Sequence, residues 1–202
     1  MAARKQNNFQ KSQIWYVTTV CDGLTSPAPH SAVTLDALRL DHPTDFADYN
    51  YARETWQSHR HWFTGLGFRV YTPLTVIVIQ DCLTPTGLLQ KSIRPLVQRI
   101  GGRWEITRNG KDVQGFVMYP DKIQFRGGMF QDYRVSVCGD GLCAITCKVI
   151  TGFSGDPAAV DYEAIDTLLS EIRRTPWPSV PAQPPSPKSP LKQQLSLFED
   201  DT

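Results

Sequence analysis

The stretch from Arg103 to Ile150 constrains the fold more than any other, because it breaks into short β-branched and aromatic runs separated by turn residues. Arg103–Thr107, Gly115–Tyr119, Lys122–Phe125, Tyr133–Val137 and Leu142–Ile150 read as strands, with turns at Asn109-Gly110, Pro120-Asp121, Gly127-Gly128 and Asp140-Gly141. Asn-Gly and Asp-Gly supply the positive φ that tight hairpin turns need, so the pattern predicts an antiparallel meander.

Around this core the chain alternates helical and strand signals. Gln13–Val20 is β-branched and aromatic, hence a strand. Thr44–Leu66 carries Phe46, Tyr49, Trp56, Phe63 and Leu66 at three-, four- and seven-residue spacings, which predicts one amphipathic helix closed by Gly65 or Gly67. Phe68–Gln80 reads as a strand interrupted by Pro73, and its Leu74–Ile79 run is apolar enough to lie inside a sheet. Thr84 and Pro85 predict the start of a helix that buries Leu89, Ile93, Leu96 or Val97, and Ile100, is kinked at Pro95 and stops at Gly101. A last helix is expected from Asp156-Pro157, burying Val160, Ala164 or Ile165, Leu168 or Leu169, and Ile172, with Arg173-Arg174 favouring the negative end of its dipole. The expected class is α+β: a single domain, an antiparallel β-meander with helices packed on one face, plus a disordered C-terminal tail.

The 202 residues suit one ordinary domain with appendages, and 41% hydrophobic residues with a net charge of +1 are the balance of a globular chain. No apolar run is long enough to span a bilayer and no signal-type segment comes after the polar, basic Met1–Ser12, so a cytoplasmic protein without membrane contact is expected. The expected organisation is a flexible basic N-terminus over 1–12, the globular domain over 13–174, a proline-rich linker over 175–190 and a tail over 191–202. Seven prolines between Pro176 and Pro190 forbid a helix or a central strand there. At roughly 3 Å per residue in the polyproline II conformation, such a spacer holds the tail about 40 Å from the domain.

The tail contains Gln194-Leu195-Ser196-Leu197-Phe198, with large apolar residues flanked by Lys192, Glu199, Asp200 and Asp201 in a segment that has no core of its own. Exposed apolar side chains on a tail await a partner. The pentapeptide resembles, at every position, the sliding-clamp-binding motif shared by bacterial DNA polymerases, mismatch-repair proteins and other clamp clients. That resemblance implies that Gln194 enters a small polar subsite by hydrogen bonding, that Leu197 and Phe198 fill the clamp's hydrophobic pocket, and that Leu195 lies along its surface. The competing reading is that the tail folds back and packs Leu197 and Phe198 on its own domain. The resemblance covers these five residues and is silent about the domain.

Charge distribution supplies a second candidate. Lys91, Arg94, Arg99, Arg103, Arg108, Lys111, Lys122, Arg126 and Arg134 face only four acidic residues in the same span, a local excess of +5. Trp104, Phe116, Tyr119, Phe125, Phe130 and Tyr133 interleave with them, the mixture of cations and rings that a strand surface presents to a nucleic-acid backbone and its bases. The alternative is that the rings face the core and the cations solvate the outer face.

The remaining chemistry-bearing residues say less. Five cysteines, odd in number and irregularly spaced, argue against a disulfide framework. Cys138, Cys143 and Cys147 match no zinc spacing and read as core thiols of one hairpin, so no metal or cofactor is expected. His59 and His61, two apart on a helix, point about 200° from each other and cannot readily share an ion. Asp41, Asp45 and Asp48 suit the start of a helix. No phosphate-binding loop, nuclease carboxylate set or nucleophile elbow is present. Three readings result: an accessory or adaptor protein brought to the clamp in replication, repair or mobile-element insertion, acting near the nucleoid; a clamp-recruited DNA-processing enzyme; or a phage- or plasmid-borne inhibitor that occupies the clamp pocket.

Overall fold

The computed structural model describes residues 14–19 and 28–177. Its fold is α+β, and every strand pairing is antiparallel. The strands divide between two sheets rather than forming one meander. The smaller is built from β1 (Trp15–Thr19), β2 (Ala28–His30), β3 (Gly65–Val70) and β9 (Gly141–Ala144), in the order β2–β1–β3–β9. The larger is built from β4 (Leu74–Ile79), β5 (Arg103–Ile106), β6 (Val113–Met118), β7 (Arg126–Phe130), β8 (Tyr133–Cys138) and β10 (Val149–Ser154), in the order β10–β5–β6–β4–β8–β7.

Two helices cover one face of the larger sheet, α2 (Arg94–Ile100) and α3 (Tyr162–Arg174). Ile77 and Ile79 of β4, Val113 and Val117 of β6, and Val135 and Val137 of β8 alternate onto that face and meet Val97, Ile100, Ile165, Leu168 and Ile172. The opposite face carries Val76 and Phe116, which join Val17, Leu66, Phe68 and Val70 of the smaller sheet in a second core. Helix α1 (Tyr49–Ser58) adds Ala52 to that core, and Tyr49 sets its ring edge-on to Trp15, 4.9 Å between centroids. The helical layer predicted from sequence is present on the larger sheet in α2 and α3, whereas α1 packs on the smaller sheet, which is the addition.

Several predicted elements are shorter or displaced, each for a local reason. The 44–66 pattern resolves into a 3₁₀ turn at Pro43–Asp45, helix α1 and the start of β3. Asp48, whose carboxylate accepts from the N–H groups of Asn50 and Tyr51 at 2.8 and 3.0 Å, starts the helix later than the apolar periodicity suggests. Thr84 and Pro85 form a turn instead of a helix start: Thr84 Oγ1 accepts from the Leu88 N–H at 3.1 Å, and the helix begins only at Arg94. Pro95 therefore lies in the first turn, where it needs no hydrogen bond and causes no kink. The buried stripe Leu89, Ile93, Val97 and Ile100 and the stop at Gly101 are as predicted. Asp156-Pro157 likewise forms a turn, and Asp161 caps α3 through the Ala164 N–H at 3.1 Å.

Two glycine assignments are corrected by what approaches them. Gly127-Gly128 lies inside β7, and the turn to β8 falls at Gln131-Asp132, with Gln131 at φ 52°. A Cβ on Gly128 would lie 2.8 Å from the Thr175 carbonyl oxygen, and one on Gly127 would lie 2.8 Å from the Trp177 ring. Glycine is needed there because the chain leaving α3 runs along this sheet edge, where the Met129 N–H donates to the Thr175 carbonyl at 2.6 Å. Asp140-Gly141 is a corner rather than a hairpin: β8 stays in the larger sheet and β9 crosses to pair with β3. Lys122–Phe125 is irregular, and Leu142–Ile150 splits between β9 and β10.

Candidate functional site

Where the two sheets diverge they leave a cleft of about 490 Å³. Its wall from the larger sheet is Val76 and Val78 of β4, Gln114 of β6, and Ser136 and Cys138 of β8, the face turned away from the helices. Its wall from the smaller sheet includes Tyr16, Pro29 and Leu142, and Arg108 and Asn109 of the β5–β6 turn close one end. Two glycines make this possible. Tyr16 pairs with Gly67 and Thr18 with Gly65, and a Cβ on Gly67 would lie 2.7 Å from the Cys143 carbonyl oxygen and clash with Cζ and the hydroxyl of Tyr16. A Cβ on Gly65 would lie 2.8 Å from Arg108 Nη2. The Tyr16 ring and the Arg108 guanidinium therefore lie on the same sheet face, one pleat repeat or about 7 Å apart along β3.

The electrostatics of the cleft are uneven. Arg108 is an exposed residue that donates from Nη1 to Thr64 Oγ1 at 3.1 Å and from Nη2 to Thr18 Oγ1 at 3.4 Å, both neutral acceptors. It has no ion pair among the described residues. Desolvation lowers its pKa, the mark of a cation held without a counter-charge. Asp112, the carboxylate lining the same cleft, is engaged by the Asp81 N–H at 2.8 Å and Asn109 Nδ2 at 2.6 Å. Tyr16 is 3% exposed, and its hydroxyl makes no hydrogen bond among the described residues. No fully buried side-chain oxygen or nitrogen among those residues lacks a partner, so the hydroxyl of Tyr16, a residue that lines the cleft, retains some exposure. Burial raises its pKa far above the usual phenol value, and it stays a neutral donor at every ordinary pH. Gln114 donates its amide N–H to the Ala144 carbonyl at 2.9 Å, tying β9 to the larger sheet.

The nine predicted cations are not brought to one surface. Arg99 is paired with Asp161 and Glu163, and Arg103 with Glu105. Arg108 lines the cleft. Lys91, Arg94, Lys111, Lys122, Arg126 and Arg134 are exposed and free of ion pairs among the described residues. Arg103 on β5 and Arg126 on β7 are separated by β6, β4 and β8, about 19 Å at the usual strand spacing. Register puts Arg126 opposite Val137 on the helix-bearing face and Arg134 opposite Met129 on the other. Of the interleaved rings, Trp104, Phe116, Tyr119 and Tyr133 are buried and Phe130 packs on the core, leaving Phe125 exposed.

The cysteines separate by environment rather than sharing one hairpin. Cys82 and Cys143 are buried, with burial pushing the Cys82 thiol up to about 12 and the Cys143 thiol higher still. Cys138 is half-buried at the end of β8, and Cys147 is exposed in a loop at φ 58°, so neither is a core thiol. No cluster of His, Cys, Asp or Glu fit to hold a metal occurs among the described residues. His59 ends α1 with its Nδ1 at 2.9 Å from the Thr55 carbonyl oxygen. The clamp-like motif Gln194-Leu195-Ser196-Leu197-Phe198, and Cys21, lie outside the described residues.

Sequence reasoning overlooks Tyr16, Thr18, Gly65 and Gly67 as a unit. The available signal is Gly-Leu-Gly at the mouth of a strand, which local patterning reads as a helix stop. Among the described residues no helix is long and apolar enough to cross a membrane. No known protein family matches this chain by sequence profile, and no curated protein matches it by sequence.

Proposed function

We propose that this protein is an accessory factor recruited to a bacterial replication sliding clamp through Gln194–Phe198, acting in the cytoplasm at the nucleoid in replication, repair or mobile-element insertion. The observation that carries the reading is the pentapeptide itself, complete at all five positions and set behind a spacer of seven prolines. Burying one Leu and one Phe in the clamp pocket contributes about 3–5 kcal/mol before ordering costs, with further gain from the Gln194 hydrogen bonds. Micromolar affinity is the consequence. The domain edge supports the geometry: Thr175 and Trp177, at the start of that spacer, are held at β7, so the peptide is presented from a fixed point.

The cations free of ion pairs among the described residues, Lys91, Arg94, Lys111, Lys122, Arg126 and Arg134, are the domain's candidates for nucleic-acid phosphates, as separate contacts on more than one face rather than a single surface. With four of the six neighbouring rings in the core, this contribution is electrostatic rather than base-stacking, and its affinity falls steeply with salt. The test is displacement of a labelled peptide spanning residues 191–202 from a purified clamp. The full chain displaces it, and the Leu197→Ala, Phe198→Ala double variant does not; displacement by both, or by neither, removes the reading.

A further inference from the structure

We infer that the cleft between the sheets is a binding site for a small amphipathic carboxylate, with the acid group held by Arg108 and Tyr16 and the apolar body lying against Val70, Val76, Val78 and Leu142. Three observations converge. The cleft of about 490 Å³ has room for a small molecule, and its lining sets an apolar wall of Val70, Val76, Val78 and Leu142 beside polar side chains that include Arg108, Asp112, Gln114 and Ser136. Arg108 is a partly desolvated guanidinium whose two hydrogen bonds go to hydroxyls and whose remaining donors meet no carboxylate among the described residues. Tyr16 is a buried phenol whose donor is unused among the described residues.

These groups are set in place by the backbone. Gly65 and Gly67 remove the side chains that would otherwise occupy the space of the guanidinium and the ring, and the alternation of β3 brings both to one face. Two glycines in a strand cost strand stability, and here they yield a cation and a hydroxyl side by side above an apolar floor. A planar, forked guanidinium suits the two oxygens of a carboxylate, with the phenol donating a further hydrogen bond. Asp112 does not compete for Arg108, because its oxygens are taken by the Asp81 N–H and by Asn109. It does, however, disfavour a doubly charged group such as a phosphate monoester, which is why a monoanion is the assigned class.

The experiment is calorimetric titration of the full chain with 2-naphthoate, with 2-naphthamide as the neutral isostere and inorganic phosphate as the charge-only control. Saturable binding of 2-naphthoate is expected, at least tenfold weaker for Arg108→Gln and several-fold weaker for Tyr16→Phe, with 2-naphthamide binding at least tenfold more weakly than 2-naphthoate. Val78→Trp, which fills the floor and leaves both donors, abolishes binding. Far-ultraviolet circular dichroism of each variant confirms that it is folded, and the conservative Tyr16→Phe keeps the test informative where Arg108→Gln is not. Equal affinity for acid and amide, full affinity in both donor variants, phosphate bound more tightly than 2-naphthoate, or no saturable binding at all would each overturn the assignment.

Discussion

The indole Nε1 of Trp177 donates to the Gly128 carbonyl oxygen at 2.9 Å, fastening the chain that leaves α3 to the outer edge of the larger sheet. Phe125 packs edge-on against the same indole, with centroids 6.1 Å apart. The contact covers an otherwise open strand edge and holds the first residues of the proline-rich segment against β7. Gly128→Ala, which forces a Cβ against the Ile172 and Thr175 carbonyls, is expected to cost about 3 kcal/mol. Trp177→Ala, which removes a half-exposed contact, costs less, about 1–2 kcal/mol. Equilibrium urea unfolding of both variants checks the order.

Glu105 organises the loop between β9 and β10. It is 1% exposed, accepts from Arg103 Nη2 at 3.1 Å, and takes the N–H groups of Thr146 and Cys147 at 3.1 Å each. Removing it leaves two backbone N–H donors and a guanidinium without their acceptor. Glu105→Ala should destabilise by about 3–5 kcal/mol, and Glu105→Gln, which keeps an acceptor oxygen, by about 1–3 kcal/mol. The same unfolding measurement distinguishes them, and equal losses would contradict the assigned role.

The Arg39–Asp45 pair sets an acid limit. Hydrogen bonds from Arg39, through its side chain and its N–H, hold the Asp45 carboxyl down to about 2 from the ordinary 3.8, and the Ser31 hydroxyl donates to the Asp45 carbonyl at 2.9 Å. A folded-state pKa below the unfolded value stabilises above the unfolded pKa and is lost as pH falls through the folded one. The melting temperature should therefore drop between about pH 4 and pH 2 in the parent, and less steeply over that window in Asp45→Asn.

Thiol reactivity should track burial. In a Cys21→Ser background, Cys138 and Cys147 react with a maleimide in the native state, Cys147 faster because it is exposed. Cys82 and Cys143 react only on unfolding, their pKa values raised by desolvation. Mass mapping of the labelled peptides reads the pattern directly.

Local patterning is the part of this fold that is legible in the sequence. The apolar stripes of α2 and α3, strands β4, β5, β6 and β8 of the larger sheet and the stop at Gly101 come from periodicity and turn chemistry within a dozen residues. Partner choice does not. The periodicity of Gly141–Ala144 gives no sign that it leaves β8 to pair with β3, because that depends on the packing of Val76 and Phe116 against Phe68 across the sheets. Gly127 and Gly128 read as a turn because the groups that demand glycine there, the Trp177 ring and the Thr175 carbonyl, lie far along the chain. The cleft is hidden for the same reason: Tyr16, Gly67 and Arg108 acquire meaning only when β1, β3 and the β5–β6 turn are placed together.

Recruitment to the clamp is tested most directly by calorimetric titration of the full chain, and of its Leu197→Ala, Phe198→Ala double variant, into a purified bacterial sliding clamp. Micromolar binding by the parent is expected, with one peptide per clamp pocket, and its loss in the double variant. An absence of binding by the parent, or unchanged binding by the variant, would contradict recruitment through Gln194–Phe198.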